Sequence, residues 1–391
     1  MIKFRAAIFL LIMTLILLAC SFSTTTFTPQ EAVELTLTPY PDTPAPVAID
    51  APLVESPALV NFHFINELDG WGQTNIQIVR TNDGGITWYD VTPPDVAEVG
   101  YNARQFSLDA NYAWVQFPDF NNYPNSGFLY STKDGGLTWT KSETPFSGGD
   151  LEFLDENHGW MLADLGVGAG SNAVAVYRTD DGGQNWTLAY TNDPNQANSG
   201  DSLPMGGLKG GITPLNTQTA WVYGVVYAPG TVYLFRTDDG GKTWSVVESV
   251  PLPEGAEEAE LSIEQLAFPT PTDGLMAMRV TSDEGKIAVY TSNDAGDTWS
   301  LTPTLIPKGG SADFLSATEA VIYNGEQFYV TRDAAQTWNQ VSPDIVFGDT
   351  FAWMDFVNTS SGWVLTLDPT TNRSSLYRTT DGGSTWLPVF P

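Results

Sequence analysis

The feature that most constrains this chain is an eight-residue frame written seven times. The copies are TNDGGITW (81–88), TKDGGLTW (132–139), TDDGGQNW (179–186), TDDGGKTW (237–244), SNDAGDTW (292–299), TRDAAQTW (331–338) and TTDGGSTW (379–386). Their tryptophans, Trp88, Trp139, Trp186, Trp244, Trp299, Trp338 and Trp386, lie 39 to 58 residues apart. A period near fifty marks a structural unit that cannot bury its apolar face alone and stacks on its neighbours. Asp before Gly-Gly favours a tight turn, because the carboxylate accepts nearby backbone N–H groups while Gly takes positive φ. The Trp behind the turn is placed to bury its ring between adjacent sheets. Asp83, Asp134, Asp181, Asp239, Asp294, Asp333 and Asp381 therefore read as structural fasteners. One carboxylate per turn, with no second acidic ligand at fixed spacing, makes a poor calcium site. Ala335 is a sterically poor substitute for the turn Gly, so repeat 6 reads as the degenerate copy.

A second mark runs in step with the first. Phe64, Phe106, Phe153, Pro214, Phe268, Phe314 and Phe356 precede Trp71, Trp114, Trp160, Trp221, Leu275, Val321 and Trp363 by seven or eight positions. Each repeat then reads as strand A ending at the Phe, a tight turn, strand B from the Trp, strand C, the box turn, and strand D. The expected fold is all-β: a seven-bladed β-propeller with four-stranded antiparallel blades and box turns between strands C and D. The blades are expected near 58–92, 101–144, 148–191, 207–249, 261–303, 310–342 and 350–390, inside a domain spanning 58–391.

The N-terminus carries Lys3 and Arg5, an apolar run from Ala6 to Ala19, and then Cys20. Fourteen residues at about 1.5 Å each do not span a ~30 Å hydrocarbon core, so residues 1–19 read as a signal peptide. LLAC (17–20) resembles a bacterial lipobox, which implies cleavage before Cys20 and its lipidation. Cys20 is the single cysteine, so disulfide and thiol chemistry drop out. Residues 20–57, rich in Thr and Pro, read as a tether. The expected location is extracytoplasmic and membrane-anchored.

The paired marks resemble the Asp-box, or bacterial-neuraminidase repeat, family, and within it look especially like the photosystem II assembly-factor group. The resemblance covers 58–391. It implies the propeller fold, and for that group a part in assembling a membrane complex through a basic patch. The formal net charge of −30 opposes such a patch and disfavours nucleic acid, leaving a cationic protein or a neutral glycan as partner. A sialidase-like activity would need an arginine triad. With the box-associated arginines set aside as structural, Arg104, Arg279 and Arg373 remain, and their register places them in no common layer.

A glycosidase needs only two carboxylates, and one register position offers candidates. The residue before the strand A Phe is His63, Gln105, Glu152, Thr213, Ala267, Asp313 and Asp355 in turn. Glu152, Asp313 and Asp355, with His63, are candidates to converge on a central channel, or else to be solvated wall residues. With two His in the chain, a His-rich metal site is not expected, nor is any cofactor. The A–B and box turns are uniform, whereas the D–A and B–C connections on the opposite face vary: 117–127, 164–172, 192–207 and 250–260. Variable loops on a rigid scaffold favour binding there. Phe117, Phe120, Tyr123 and Tyr227 lie in or beside B–C loops, and Tyr101, Phe347 and Phe351 beside D–A connections. Trp353 alone among the tryptophans fits neither register, and reads either as a binding residue or as packing between repeats 6 and 7. Trp353, Tyr123, Phe120, Tyr227 and His63 are the binding candidates. The composite expectation is a monomeric, lipid-anchored, non-catalytic binding or assembly scaffold; the alternative is a glycan-binding lipoprotein or glycoside hydrolase.

Overall fold

A computed structural model describes residues 49–281, 285–371 and 373–390. The signal segment, Cys20 and the tether up to residue 48 lie outside the described residues. Strand β1 (Leu53–Val54) comes first. Repeat 1 forms β2 (Leu59–Phe64), β3 (Gly70–Thr74), β4 (Ile78–Thr81) and β5 (Trp88–Asp90). Repeat 2 forms β6 (Arg104–Ser107), β7 (Ala113–Pro118), β8 (Gly127–Thr132) and β9 (Thr140–Thr144). Repeat 3 forms β10 (Gly149–Phe153), β11 (Gly159–Gly168), β12 (Ser171–Thr179) and β13 (Thr187–Thr191). Repeat 4 gives β14 (Leu208–Pro214), β15 (Ala220–Val225), β16 (Tyr233–Thr237) and β17 (Ser245–Val246). Repeat 5 gives β18 (Glu260–Ala267), β19 (Gly274–Thr281), β20 (Lys286–Ser292) and β21 (Ser300–Pro307). Repeat 6 gives β22 (Ser311–Phe314), β23 (Ala320–Tyr323), β24 (Phe328–Thr331) and β25 (Asn339–Val341). Repeat 7 closes the chain with β26 (Phe351–Phe356), β27 (Gly362–Leu367), β28 (Ser374–Thr379) and β29 (Leu387–Phe390).

The protein is an all-β propeller of four-stranded antiparallel blades. Its sheets differ from the expected seven separate ones. Repeats 1, 2, 3, 6 and 7 each form their own sheet, while repeats 4 and 5 share an eight-stranded sheet. The join is one residue pair, Val225 on β15 against Ser262 on β18. β1 adds a fifth strand to repeat 1 by pairing with β5, so part of the segment read as tether is sheet. The first strands of neighbouring repeats lie side by side: β6 with β10, β10 with β14, β14 with β18, β18 with β22, β22 with β26, and β26 with β2.

Both sequence marks turn out to be seam chemistry. The strand B Trp of one repeat stacks on the strand A Phe of the next: Trp114 on Phe153 at 3.8 Å and Trp221 on Phe268 at 4.2 Å. Trp363 on Phe64, at 3.6 Å and 7°, joins the last repeat to the first. The indole Nε1 of Trp114 donates to Gly182 O at 2.9 Å, and that of Trp363 to Gly84 O at 3.0 Å. Arg80, Arg178, Arg236 and Arg378 lie over Trp71, Trp160, Trp221 and Trp363, at 4.9–5.7 Å from the ring centroids. The guanidinium then abuts the next repeat's box, which explains the first box Gly beyond its positive φ. A Cβ on Gly135 would stand 1.7 Å from Arg80 Nη1.

Within each box the Asp carboxylate closes its own turn. Asp134 Oδ1 accepts the Thr138 N–H at 2.9 Å and the Thr132 hydroxyl, while Oδ2 accepts the Thr138 hydroxyl at 2.7 Å. The same three bonds form at Asp83, Asp181, Asp239, Asp294, Asp333 and Asp381, with Asn185 replacing the Thr at Asp181. Ala334 and Ala335 hold the left-handed conformation at φ +56° and +61°. The degenerate copy keeps its bonds and carries the strain in its backbone.

Candidate functional site

Side chains alternate along a strand, so the seven first strands show the channel two layers of residues. The lower layer is the register position before the strand A Phe: His63, Gln105, Glu152, Thr213, Ala267, Asp313 and Asp355. Two residues earlier lie Asn61, Asp150, Gly211, Gln265, Ser311 and Trp353, while in repeat 2 the matching Ala103 is buried in the core with Trp71 and Val115.

Most of the lower layer is committed to the seams. Asp355 Oδ2 accepts the backbone N–H of Phe64, and Asp313 Oδ2 accepts that of Phe356 at 2.6 Å. Thr213 donates its hydroxyl to Leu266 O at 2.9 Å. Asp313 and Asp355 thus tie β22 to β26 and β26 to β2, each through one carboxylate oxygen. Desolvation, then the Asp355 charge, pushes Asp313 up to about 8, against the Phe356 N–H and His63. His63 Nδ1 stands 3.4 Å from Asp355 Oδ2. Burial pushes the imidazole down, but the Asp355 charge and hydrogen bond, with Asp313 behind them, carry it above its ordinary 6.5. Protein surrounds the His63 ring, yet the channel leaves 55% of its side-chain surface open.

Glu152 and Gln105 are the exceptions: neither side chain makes a hydrogen bond among the described residues. Burial, then the Asp150 charge, holds Glu152 well above the ordinary carboxylate range. Asp150 is a residue that sequence reasoning missed. Its Oδ2 accepts the Ile212 N–H at 2.7 Å across the seam of repeats 3 and 4. Burial raises it to about 6, opposed by that N–H and by Arg104.

Two cavities open among the variable connections. The first, about 630 Å³, is a cleft over repeats 2 to 4 whose walls include Arg104, Phe120, Tyr123, Asp150, Asp164 and Lys209. Phe120 and Tyr123 are 70% and 54% exposed. Arg104 Nη1 donates only to its neighbours' carbonyls, those of Tyr101 and Ala103, at 3.4 and 3.3 Å. Lys209, also missed, is buried and donates Nζ to the carbonyls of Asn172, Met205 and Gly207 at 3.0–3.2 Å; burial lowers it to about 8. The second cavity, about 950 Å³, is the channel mouth, walled by both layers of repeats 1, 6 and 7 together with Gln265, Gln105 and Glu152. The two meet at consecutive residues, Arg104 and Gln105 on β6.

The binding candidates therefore divide. Phe120 and Tyr123 belong to the cleft, and His63 and Trp353 to the channel mouth. Trp353 is 48% exposed, so about half of its surface faces the channel mouth. Tyr227 is exposed outside both cavities, close over Gly170. Phe347 is buried in the core beside Tyr323 and Trp386, and Phe117 packs edge-on to Tyr130; neither is a surface ring. Residues 164–172, read as a variable loop, are mostly the paired tip of the β11–β12 hairpin, with Val167 exposed on it. Arg104 and Arg279 line different cavities. Among the described residues, no group of three or more His, Cys, Asp or Glu is placed to hold a metal ion.

Residues 235–246 match the family model described as BNR/Asp-box repeat. The chain carries an Asp-box repeat. It is 22% identical over 251 residues to the photosystem II assembly lipoprotein Ycf48 of Synechococcus sp. (strain CC9902), covering 59% of this chain and 70% of that protein. It is 26% identical over 250 residues to a xyloglucanase of Hypocrea jecorina (strain QM6a), covering 55% of this chain and 29% of the enzyme's length. A solved structure of YCF48 bound to D1 peptide aligns with a TM-score of 0.52 at 19% identity, covering 86% of this chain and 99% of that one. At that identity the structural likeness speaks for the Asp-box propeller fold.

Proposed function

We propose that the chain is an extracytoplasmic scaffold, tethered by a lipid on Cys20, that binds a partner protein on its variable-loop face. The eight-stranded sheet counts as two blades in this reading, giving a monomeric seven-bladed propeller. The observation that carries the proposal is the cleft over repeats 2 to 4. There two exposed rings, Phe120 and Tyr123, flank an Arg104 that makes no salt bridge among the described residues and reaches the Asp150 carboxyl only through its charge. Exposed aromatic and Arg side chains beside a recess are the residue types that dominate protein–protein binding energy. Arg104 also supplies positive charge inside an otherwise acidic molecule. Likeness to an assembly lipoprotein, and to a propeller described with a bound peptide, supports the same reading. The hydrolase alternative draws less support, since two of its three candidate carboxylates, Asp313 and Asp355, each spend one oxygen on a backbone N–H group.

The test is affinity capture with the tagged, lipidated protein from detergent-solubilised membranes of the producing cell. A stoichiometric partner that is lost from the Phe120→Ala/Tyr123→Ala variant is the expected result. A partner retained by that variant removes the cleft from the proposal, and no partner at all removes the scaffold reading.

A further inference from the structure

The channel mouth has features that partner docking at the cleft leaves unused. Four of the seven first strands carry a β-bulge at the same height: between Leu59 and Asn61, Lys209 and Gly211, Ile263 and Gln265, and Phe351 and Trp353. Bulges re-aim side chains and collect beside functional sites. Three of them deliver Asn61, Gln265 and Trp353 to one cavity. Asn61, Trp353 and, one layer below, Gln105 make no side-chain hydrogen bond among the described residues. Gln265 Oε1 is buried with no donor among the described residues. An unpaired buried amide oxygen is costly, and seam packing supplies no reason for it.

The surrounding charges are self-contained. Arg279 Nε donates to Glu264 Oε1 at 3.0 Å, Lys308 pairs with Glu326, and His63 pairs with Asp355. What the mouth offers a ligand is thus a half-exposed indole face, three free amides and the uncommitted Glu152 carboxyl. Among the described residues, the cations lining the mouth, Arg279 and Lys308, are both paired with glutamates, which leaves none to hold an anion. An indole face against C–H groups, with amides around it, matches a ring that is apolar on its faces and hydroxylated at its edge.

We propose that the channel mouth is a binding site for a neutral oligosaccharide, stacked on Trp353 and hydrogen-bonded by Gln265, Asn61 and Gln105. No bond is made or broken. The site is separate from the cleft and does not depend on the scaffold reading.

Calorimetric titration of the whole exported chain with cellotetraose, xylotetraose, mannotetraose and galactotetraose tests this. Spermidine and tetragalacturonate serve as the cationic and anionic probes. At least one neutral tetrasaccharide is expected to bind. Trp353→Ala then weakens it at least about tenfold, and Trp353→Phe restores part of the loss. Gln265→Leu, which removes the unpaired oxygen at similar volume, weakens binding while raising the melting temperature. Phe120→Ala/Tyr123→Ala leaves saccharide affinity unchanged, which separates failure here from failure of the cleft. The proposal is overturned if none of the four binds, if spermidine or tetragalacturonate alone binds, or if Trp353→Ala binds as well as the parent chain.

Discussion

The two faces of the propeller use the same side chains to opposite ends. On the face of the box turns, each box carboxylate is consumed by its own turn, and box arginines lie over tryptophans against the next repeat. Toward the variable loops, the side chains of Glu152, Gln105, Asn61 and Trp353 make no hydrogen bond among the described residues, and Arg104 donates only to the backbone carbonyls of Tyr101 and Ala103. Acidity itself is divided in the same way. Asp181, Asp239 and Asp381 sit below the ordinary aspartate value: burial opposes this, and side-chain and backbone donors outweigh it. Asp150, Glu152 and Asp313 sit above theirs because burial in the channel outweighs the donors they have. A carboxylate's role here follows from how many N–H and O–H groups reach it, and residue type alone does not reveal that.

If the box face is where stability resides, Trp363→Ala is the most damaging change. It removes the stack on Phe64 and the bond to Gly84 O that join the last repeat to the first. A loss of about 3–5 kcal/mol is expected in denaturant unfolding. An effect below ~1 kcal/mol would show that the inner-strand bonds alone hold the ring closed. Next comes Asp134→Ala, which strips three bonds from a partly solvated turn and should cost about 1–2 kcal/mol.

The pH dependence sharpens the comparison, because the two groups of carboxylates contribute with opposite sign. Box aspartates with lowered values stabilise above their ordinary 3.8, and that contribution is lost as pH falls through their folded values. Asp313, raised from 3.8 to about 8, contributes stability that is full below 3.8 and fades as pH rises through about 8. His63, raised above 6.5, adds a loss in the same direction over the upper part of that window. Melting temperature should therefore pass through a maximum at mildly acid pH. Asp313→Asn should flatten the alkaline limb and leave the acid limb in place; an unchanged alkaline limb would remove Asp313 from this role.

Smaller effects test the strained copy and the exposed rings. Ala334→Gly should stabilise by about 0.5–1 kcal/mol, since a left-handed Ala costs more than the added chain entropy of Gly. Phe120→Ala and Tyr123→Ala should change stability by less than ~0.5 kcal/mol each, as expected of rings that touch little in the free protein. A larger loss from either would make the cleft part of the core.

Repeat phase, strand order and box chemistry were legible because they are local. The Asp, the two Gly and the Trp of each frame act within eight residues, and a turn's hydrogen bonds can be inferred from such a string. The function of Asp313 and Asp355 was not legible. Their N–H partners lie 43 and 291 residues away, and the second bond exists only once the last repeat meets the first. Trp353 stood out in the sequence because it fits neither repeat register, but the bulge that precedes it, beside its pairing with Leu365, is visible only in the fold. Lys209 and Asp150 gave no signal, since each is defined by backbone groups that other segments bring to it.

By itself, then, the sequence determined the repeating unit, its turns and the class of fold, because the forces involved act between near neighbours along the chain. The tertiary structure alone decided which polar groups are spent on seams and which remain free at the mouth. Hydrogen-bond satisfaction is set by what surrounds each carboxyl: an Asp stays low where its own turn supplies several N–H and O–H donors, and burial raises Asp150 and Asp313, each of which has a single N–H from the next repeat.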